Sequence, residues 1–344
     1  MQLADAIRRL VDGVDLSEAE MAGCMETILD GGADPAAVAG FLVALRLKGE
    51  TVAELVAGAR VLRAHTVPVA APPGAVDTCG TGGDGARTLN VSTAAGLVAA
   101  AAGVPVAKHG NRAVSGAIGG ADVLEALGVT VELPPDVLST CLGEIGFAFL
   151  FAPAFHPALR AAAPVRRALG VRTVFNLLGP LANPAGVRRQ VIGVFDRRWV
   201  EPMARVLSRL GTERAWVVHG AGGLDELALD GESVVGEVVD GEVKIRTVTA
   251  GEVGLAPAPV DALRVVSLGD AVARVRSVLA GERGPARDVV CLNAGAALVV
   301  AGAAETLRAG AERAAAAIDD GRAAALLTRL VRFTSERAAT RSAS

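Results

Sequence analysis

Residues 76–109 read VDTCGTGGDGARTLNVSTAAGLVAAAAGVPVAKH. Val76-Asp77-Thr78 is a short strand-like run, and a glycine-rich turn from Cys79 to Gly85 follows it. Ala94 to Ala102 then has a helical composition, and Val104 to Ala107 is strand-like again. Strand, glycine turn, helix and strand in that order predict a crossover unit, and with it a parallel sheet. The alternation continues outward. Ala121 to Leu127 reads as helix, and Phe147 to Phe151, Val191 to Phe195 and Ala215 to Val218 read as strands. Glu232 to Val248 alternates polar and apolar residues around Asp240-Gly241, a hairpin signal. The expected fold class is therefore α/β, with a mostly parallel central sheet and surrounding helices.

Upstream of this unit the pattern is purely helical. Ser17 to Glu20 is a capping box that opens a helix to about Leu29, stopped by Gly31-Gly32. Asp34-Pro35 supplies an N-cap and a first-turn proline for a second helix, which ends at Gly49. Thr51 to Glu54 is another capping box, for a helix running towards His65. These signals predict a small all-helical domain over residues 1–67, joined by the Pro- and Ala-rich Pro68 to Gly74. The α/β domain is expected over 73–159 and 183–335, and 336–344 is expected to be a disordered tail.

Composition removes several classes. Half of the 344 residues are apolar, but the apolar runs are broken by Gly and Pro, so no membrane partner is expected. Met1 to Leu10 carries Asp5, Arg8 and Arg9 at helical spacing and lacks the apolar core of a signal peptide, which points to the cytoplasm. The four cysteines are scattered, without a CxxC pair, which argues against both a zinc site and a disulfide framework. A net charge of -3 with no basic stripe or tail, and no tyrosine, leaves no sign of a nucleic-acid partner.

Gly80-Thr-Gly-Gly-Asp-Gly85 spells G-x-G-x-x-G, the dinucleotide fingerprint. Its context disagrees. Ala86 to Val91 separate the last glycine from the better helix caps, Ser92 and Thr93, and the second strand ends in Lys108-His109 where a ribose would need a carboxylate. What remains is a backbone nest for an anion, followed by hydroxyls and a helix N-terminus. A tight turn that needs glycine only for its geometry is the competing reading, and four glycines in six residues make it the weaker one. The basic stretch Lys108 to Gly120 offers Lys108, Arg112, Asn111 and Ser115 on what should be a facing loop. Asp225-Glu226, after the strand ending at His219, can hold Mg²⁺, though such a pair taken alone is usually a solvated surface feature. Arg166 or Arg167 can pair bidentately with a carboxylate, or be ordinary surface arginines.

Taken together, GTGGDG (80–85), NVST (90–93), KHGNR (108–112), ADVLEALGV (121–129), FAPAFHPA (151–158), PVRRALGVRTVFNLLGPLANP (164–184), HGAGGLDEL (219–227) and LNAGAAL (292–298) resemble the anthranilate phosphoribosyltransferases, a branch of the nucleoside-phosphorylase-like family. The resemblance implies transfer of a phosphoribosyl group from phosphoribosyl pyrophosphate (PRPP) to the amine of anthranilate, releasing pyrophosphate, within tryptophan biosynthesis. It implies a homodimer formed through the helical part, which a segment from about 160 to 182 joins. By position, it implies that Gly80, Gly83, Asp84, Thr88, Asn90, Val91, Ser92, Thr93, Lys108, His109, Gly110, Asn111, Arg112, Ser115, Gly116 and Gly120 bind PRPP. Gly80, Asn111 and Arg166 would hold anthranilate, and Ser92, Asp225 and Glu226 would ligate Mg²⁺. No catalytic acid or base is expected, since an arylamine is already neutral and the hard step is loss of pyrophosphate. The chain departs from the family pattern at Gly116, Ile118 and Gly120, where hydroxyl side chains are expected. Two other readings stay open: a related transferase acting on a different aromatic amine, and a catalytically silent paralogue that binds nucleic acid. The retention of Asp84, Lys108, Asp225 and Glu226 speaks against the second.

Overall fold

The computed structural model describes residues 2–112 and 118–342. Four helices open it: α1 (Leu3–Val11), α2 (Glu18–Leu29), α3 (Pro35–Lys48) and α4 (Val52–Ala64). Both capping boxes form, with the Ser17 and Thr51 hydroxyls accepting from the amides of Glu20 and Glu54. Asp34 caps α3 by accepting from Ala36 and Ala37, and Pro35 begins the helix.

A single sheet follows. Its strands are β1 (Val76–Asp77), β2 (Val106–Gly110), β3 (Phe147–Phe151), β4 (Arg189–Gly193), β5 (Arg214–His219), β6 (Ser233–Val239) and β7 (Glu242–Val248), in the order β3-β2-β1-β4-β5-β6-β7. The first five in that order are parallel, and β6 and β7 complete the sheet antiparallel. The β6–β7 turn has Asp240 at φ 48° and Gly241 at φ 89°, the two left-handed residues that a tight hairpin needs. β2 begins later than expected and carries Lys108 and His109 inside the strand. Its ladder with β3 extends from Val106–Phe147 to Gly110–Phe151, so the basic loop starts only at Asn111.

Helices α5 (Val91–Ala101), α6 (Gly120–Ala126), α7 (Pro135–Glu144), α8 (Ala152–Phe155), α9 (Ala163–Leu169), α10 (Val174–Leu178), α11 (Val200–Arg209), α12 (Leu268–Leu279), α13 (Pro285–Val300), α14 (Leu307–Asp319) and α15 (Arg322–Ser342) complete the chain. The expected loose tail is corrected over its described part, because α15 continues to Ser342. Leu330, Phe333 and Thr334 bury its inner face, and the Thr334 hydroxyl accepts from the Thr130 amide. No described helix is long and apolar enough to cross a membrane.

The core lies on both sides of the sheet. Along β5, Ala215 and Val217 face one apolar cluster while Trp216 and Val218 face the other, the period-two alternation of a strand buried on both faces. One of these clusters runs without a break from the helical bundle through Val174, Phe175 and Leu178 of α10 to α11 and the sheet. Residues 162–182 and α11 thereby seat the bundle on the sheet. In the strand order β1 and β4 are neighbours, with β2 and β3 on one side and β5 on the other, so their carboxyl ends open a crevice at the point where the order reverses.

Candidate active site

The glycine turn lies in that crevice. Gly80 bridges Gly193 at the end of β4, the Thr81 amide donates to the Gly193 carbonyl at 2.8 Å, and the Phe195 amide donates to the Thr81 hydroxyl at 3.0 Å. Gly82, Gly83 and Gly85 take φ values of 62°, 78° and 78°, a left-handed course that side chains resist. Among the described residues no group accepts from the amides of Gly83, Asp84 or Gly85. Successive N–H groups without acceptors are what an anion nest requires. The helix after it starts earlier than expected: the Asn90 carbonyl accepts from Thr93 and Ala94, so Asn90 is the N-cap and Ser92 sits inside the first turn. The Asn90 side chain donates to the Ile118 carbonyl at 2.8 Å, while its buried Oδ1 has no partner among the described residues.

Lys108 is 3% exposed, and its ammonium donates to the Thr78 carbonyl at 2.6 Å and the Ser92 hydroxyl at 3.2 Å. Burial pushes the Lys108 pKa down, and the Asp77 carboxylate opposes that shift. Asp77 is fully buried and accepts from the His109 amide at 3.1 Å and the Asn183 side chain at 2.7 Å. Separate hydrogen bonds therefore satisfy the buried Lys108 ammonium and the buried Asp77 carboxylate at the base of the crevice. The His109 ring meets His156 at 3.2 Å between Nε2 atoms, and burial lowers the two to about 3 and about 4. Both imidazoles are neutral at physiological pH, and His109 is a wall residue whose polar atoms are already engaged.

Asp225 comes to the nest from the other side. Its Oδ2 accepts from the Gly82 amide at 2.9 Å. The carboxylates of Asp84, Asp225 and Glu226 converge, their oxygens within 4.8 Å of one another. Desolvation and the neighbouring Asp84 carboxylate raise Asp225 to about 6, and desolvation and Asp225 push Glu226 well above the usual carboxylate range. Glu226 Oε2 is buried with no hydrogen-bond partner among the described residues. Ser92, Thr78, Gly193, Asp225 and Glu226 line one small cavity. Hard oxygen donors, mutual repulsion and an orphaned oxygen fit a divalent cation of the Mg²⁺ type. Asn293 on α13 secures this loop: it accepts from the Leu227 amide at 2.9 Å and donates back to the Leu227 carbonyl at 3.0 Å.

Arg166, on α9, lies 5.1 Å over the Phe175 ring, and burial lowers its pKa. Its guanidinium has neither ion pair nor hydrogen bond among the described residues, whereas Arg167 is exposed. A half-buried cation with no counter-ion among the described residues has the charge and geometry to pair with an incoming carboxylate. Arg112 is engaged by acidic side chains. Glu125 and Glu132 accept its N–H groups, Asp122 lies 3.7 Å away, and the guanidinium stacks over Phe151. Its charge is compensated there by carboxylates. Asn111 turns its Oδ1 to the Arg112 amide. Thr93 is buried, and Thr88 bridges Arg264 across the loop. Ser115 and Gly116 lie outside the described residues. Ile118 packs against the core, and a Cβ on Gly120 would stand 2.8 Å from the Thr93 hydroxyl oxygen, so the missing hydroxyl there has a steric reason.

Three supporting residues escaped the sequence reading: Gly193, Asn183 and Asn293. Gly193 closes a predicted strand, and its position at a parallel strand's carboxyl end was the available signal. The two asparagines lie inside the matched segments 164–184 and 292–298, but their links to Asp77 and Leu227 span 106 and 66 residues, which no local pattern reveals.

Glycine amides without acceptors among the described residues and a cluster of three carboxylates, brought together by the Asp225–Gly82 hydrogen bond at the switch point of a parallel sheet, suit a protein that transfers a group from a phosphorylated donor. Family models agree with that class: residues 72–324 match the α/β domain of a glycosyl transferase family, and residues 4–66 match its helical bundle domain. An anthranilate phosphoribosyltransferase from Roseiflexus sp. is 53% identical over 333 residues, covering 96% of this chain and 98% of the relative. One from Thioalkalivibrio sulfidiphilus is 50% identical over 335 residues, covering 97% and 99%. The crystal structure of anthranilate phosphoribosyltransferase from Thermus thermophilus superposes with a TM-score of 0.90 at 47% identity, covering 96% of this chain and 99% of that one. The Saccharomyces cerevisiae anthranilate phosphoribosyltransferase in complex with PRPP and Mg gives a TM-score of 0.87 at 25% identity, covering 97% and 98%. The chain belongs to the anthranilate phosphoribosyltransferase family.

Proposed function

We propose that this protein transfers the phosphoribosyl group of PRPP to the amine of anthranilate and releases pyrophosphate, as a cytoplasmic step of tryptophan biosynthesis. The observation that carries the acceptor assignment is Arg166, a half-buried guanidinium with no counter-ion among the described residues. The free amides of residues 83–85 and the Lys108 ammonium receive the donor's diphosphate. Asp225 and Glu226, with Ser92 and Asp84 beside them, would hold Mg²⁺, which would supply positive charge to neutralise the departing pyrophosphate. The C1–O bond of the ribose breaks, the bond from C1 to the amine nitrogen forms, and the nitrogen then gives its surplus proton to water or pyrophosphate. The neutral His109–His156 pair fits a reaction that needs exclusion and orientation more than a strong base. Leu47, Val11 and Val14, on and beside α3 and α1, are 80%, 71% and 44% exposed, and a homodimer through this face would cover them.

The test is Mg²⁺-dependent pyrophosphate release with anthranilate and a panel of substituted anthranilates. Arg166→Ala is expected to raise KM for anthranilate by about 30- to 100-fold, from the loss of a charge-assisted pair, with KM for PRPP little changed. Absence of turnover with anthranilate itself would sink the assignment, and turnover of another arylamine alone would move it to the related transferase.

A further inference from the structure

One face of the glycine turn is held by a side chain that donor binding as described does not use. Arg172 lies in the connector between α9 and α10, and its Nη1 donates to the Gly83 carbonyl at 2.9 Å. Its guanidinium stacks over Phe195 at 4.3 Å, just beyond β4. Its own carbonyl accepts from Arg46 on α3. The one residue thus joins the helical bundle, the segment that carries Arg166 and the donor turn.

The consequence follows from peptide geometry. The peptides among the described residues are trans, so the carbonyl of one residue and the amide of the next point in opposite directions within their shared plane. Holding the Gly83 carbonyl against Arg172 turns the Asp84 amide away from it. That amide is one of the three in the nest with no acceptor among the described residues. Gly83 sits at φ 78° with no side chain to restrict it, so little else opposes a flip of the plane.

We propose that Arg172 is a positioning residue for the donor: it fixes the Gly83–Asp84 peptide so that the Asp84 amide stays available to a diphosphate oxygen. This rests on the reading of residues 80–85 as the donor seat.

Steady-state kinetics with both substrates on Arg172→Ala, Arg172→Lys and Lys108→Met, with melting temperatures, test it. For Arg172→Ala, KM for PRPP is expected to rise about tenfold, the worth of one charged hydrogen bond at an exposed site, while kcat, KM for anthranilate and Tm hold near the parent values. Arg172→Lys should recover most of the affinity, since a flexible ammonium reaches a single carbonyl. An unchanged KM for PRPP in Arg172→Ala, with a raised one in Lys108→Met, would overturn the role of Arg172 alone. No change in either would overturn the donor-seat reading beneath it. Equal damage to both KM values with a lowered Tm, not rescued by lysine, would reduce Arg172 to a structural part.

Discussion

Gly193 shows how little room the site leaves. A Cβ there would lie 1.5 Å from the Asp225 carbonyl oxygen and 3.1 Å from the Asp225 Cβ. Both atoms belong to the backbone or its root, so the clash is relieved only by moving the loop that carries Asp225 and Glu226. Gly193→Ala is therefore expected to weaken Mg²⁺ use and to lower activity by about a hundredfold, the usual cost of displacing reacting groups by an ångström. Activity titrated against Mg²⁺ checks this, and a wild-type titration curve would show that the loop tolerates the shift. At the same scale, residue identity alone does not show that Glu125 and Glu132 accept hydrogen bonds from Arg112.

At the scale of elements, the second capping box does more than start a helix. Glu54, in the first turn of α4, is fully buried and accepts from the Thr51 amide at 2.7 Å, the Leu16 amide at 2.9 Å and the Lys48 ammonium at 2.9 Å. Lys48 closes α3, and its side chain is 4% exposed. One carboxylate therefore ties the α1–α2 connection, the end of α3 and the start of α4. Glu54→Ala leaves a buried ammonium with only the exposed Asp15 as partner, and a loss of about 3 to 5 kcal/mol is expected. The double change Lys48→Met with Glu54→Met should cost clearly less, because no unpaired charge remains. Denaturant unfolding of the two variants decides it; equal losses would place the stability in packing instead.

The whole molecule brings the site together by joining a bundle to a sheet. An apolar cluster shared by α4, α10, α11 and the sheet fixes how the segment bearing Arg166 and Arg172 sits over the donor turn. The bundle's other face keeps Leu47 and Val11 in water, an arrangement that a second copy would relieve. Leu47→Asp is expected to turn a dimer into monomers in analytical ultracentrifugation while the circular dichroism spectrum stays unchanged; a parent protein that is itself monomeric would end that reading.

Much of this was legible in the order of the amino acids. Capping boxes, the Asp240-Gly241 turn and the strand–glycine–helix grammar of residues 76–109 are short-range signals, and each acts through neighbours a few residues away. So the element order, the parallel sheet and the left-handed glycine turn at residues 80–85 were determined by the sequence alone. The length of β2, the cap at Asn90 and the helical end of the chain were not, because strand ladders and buried helix faces extended or shifted those elements. Tertiary structure alone decided that Asp225 reaches the Gly82 amide across 143 residues of chain, and that Arg112 is claimed by carboxylates while Arg166 is left without one. Charge and hydrogen-bonding capacity can be read residue by residue, but which partner claims them depends on which segments the folded core presses together.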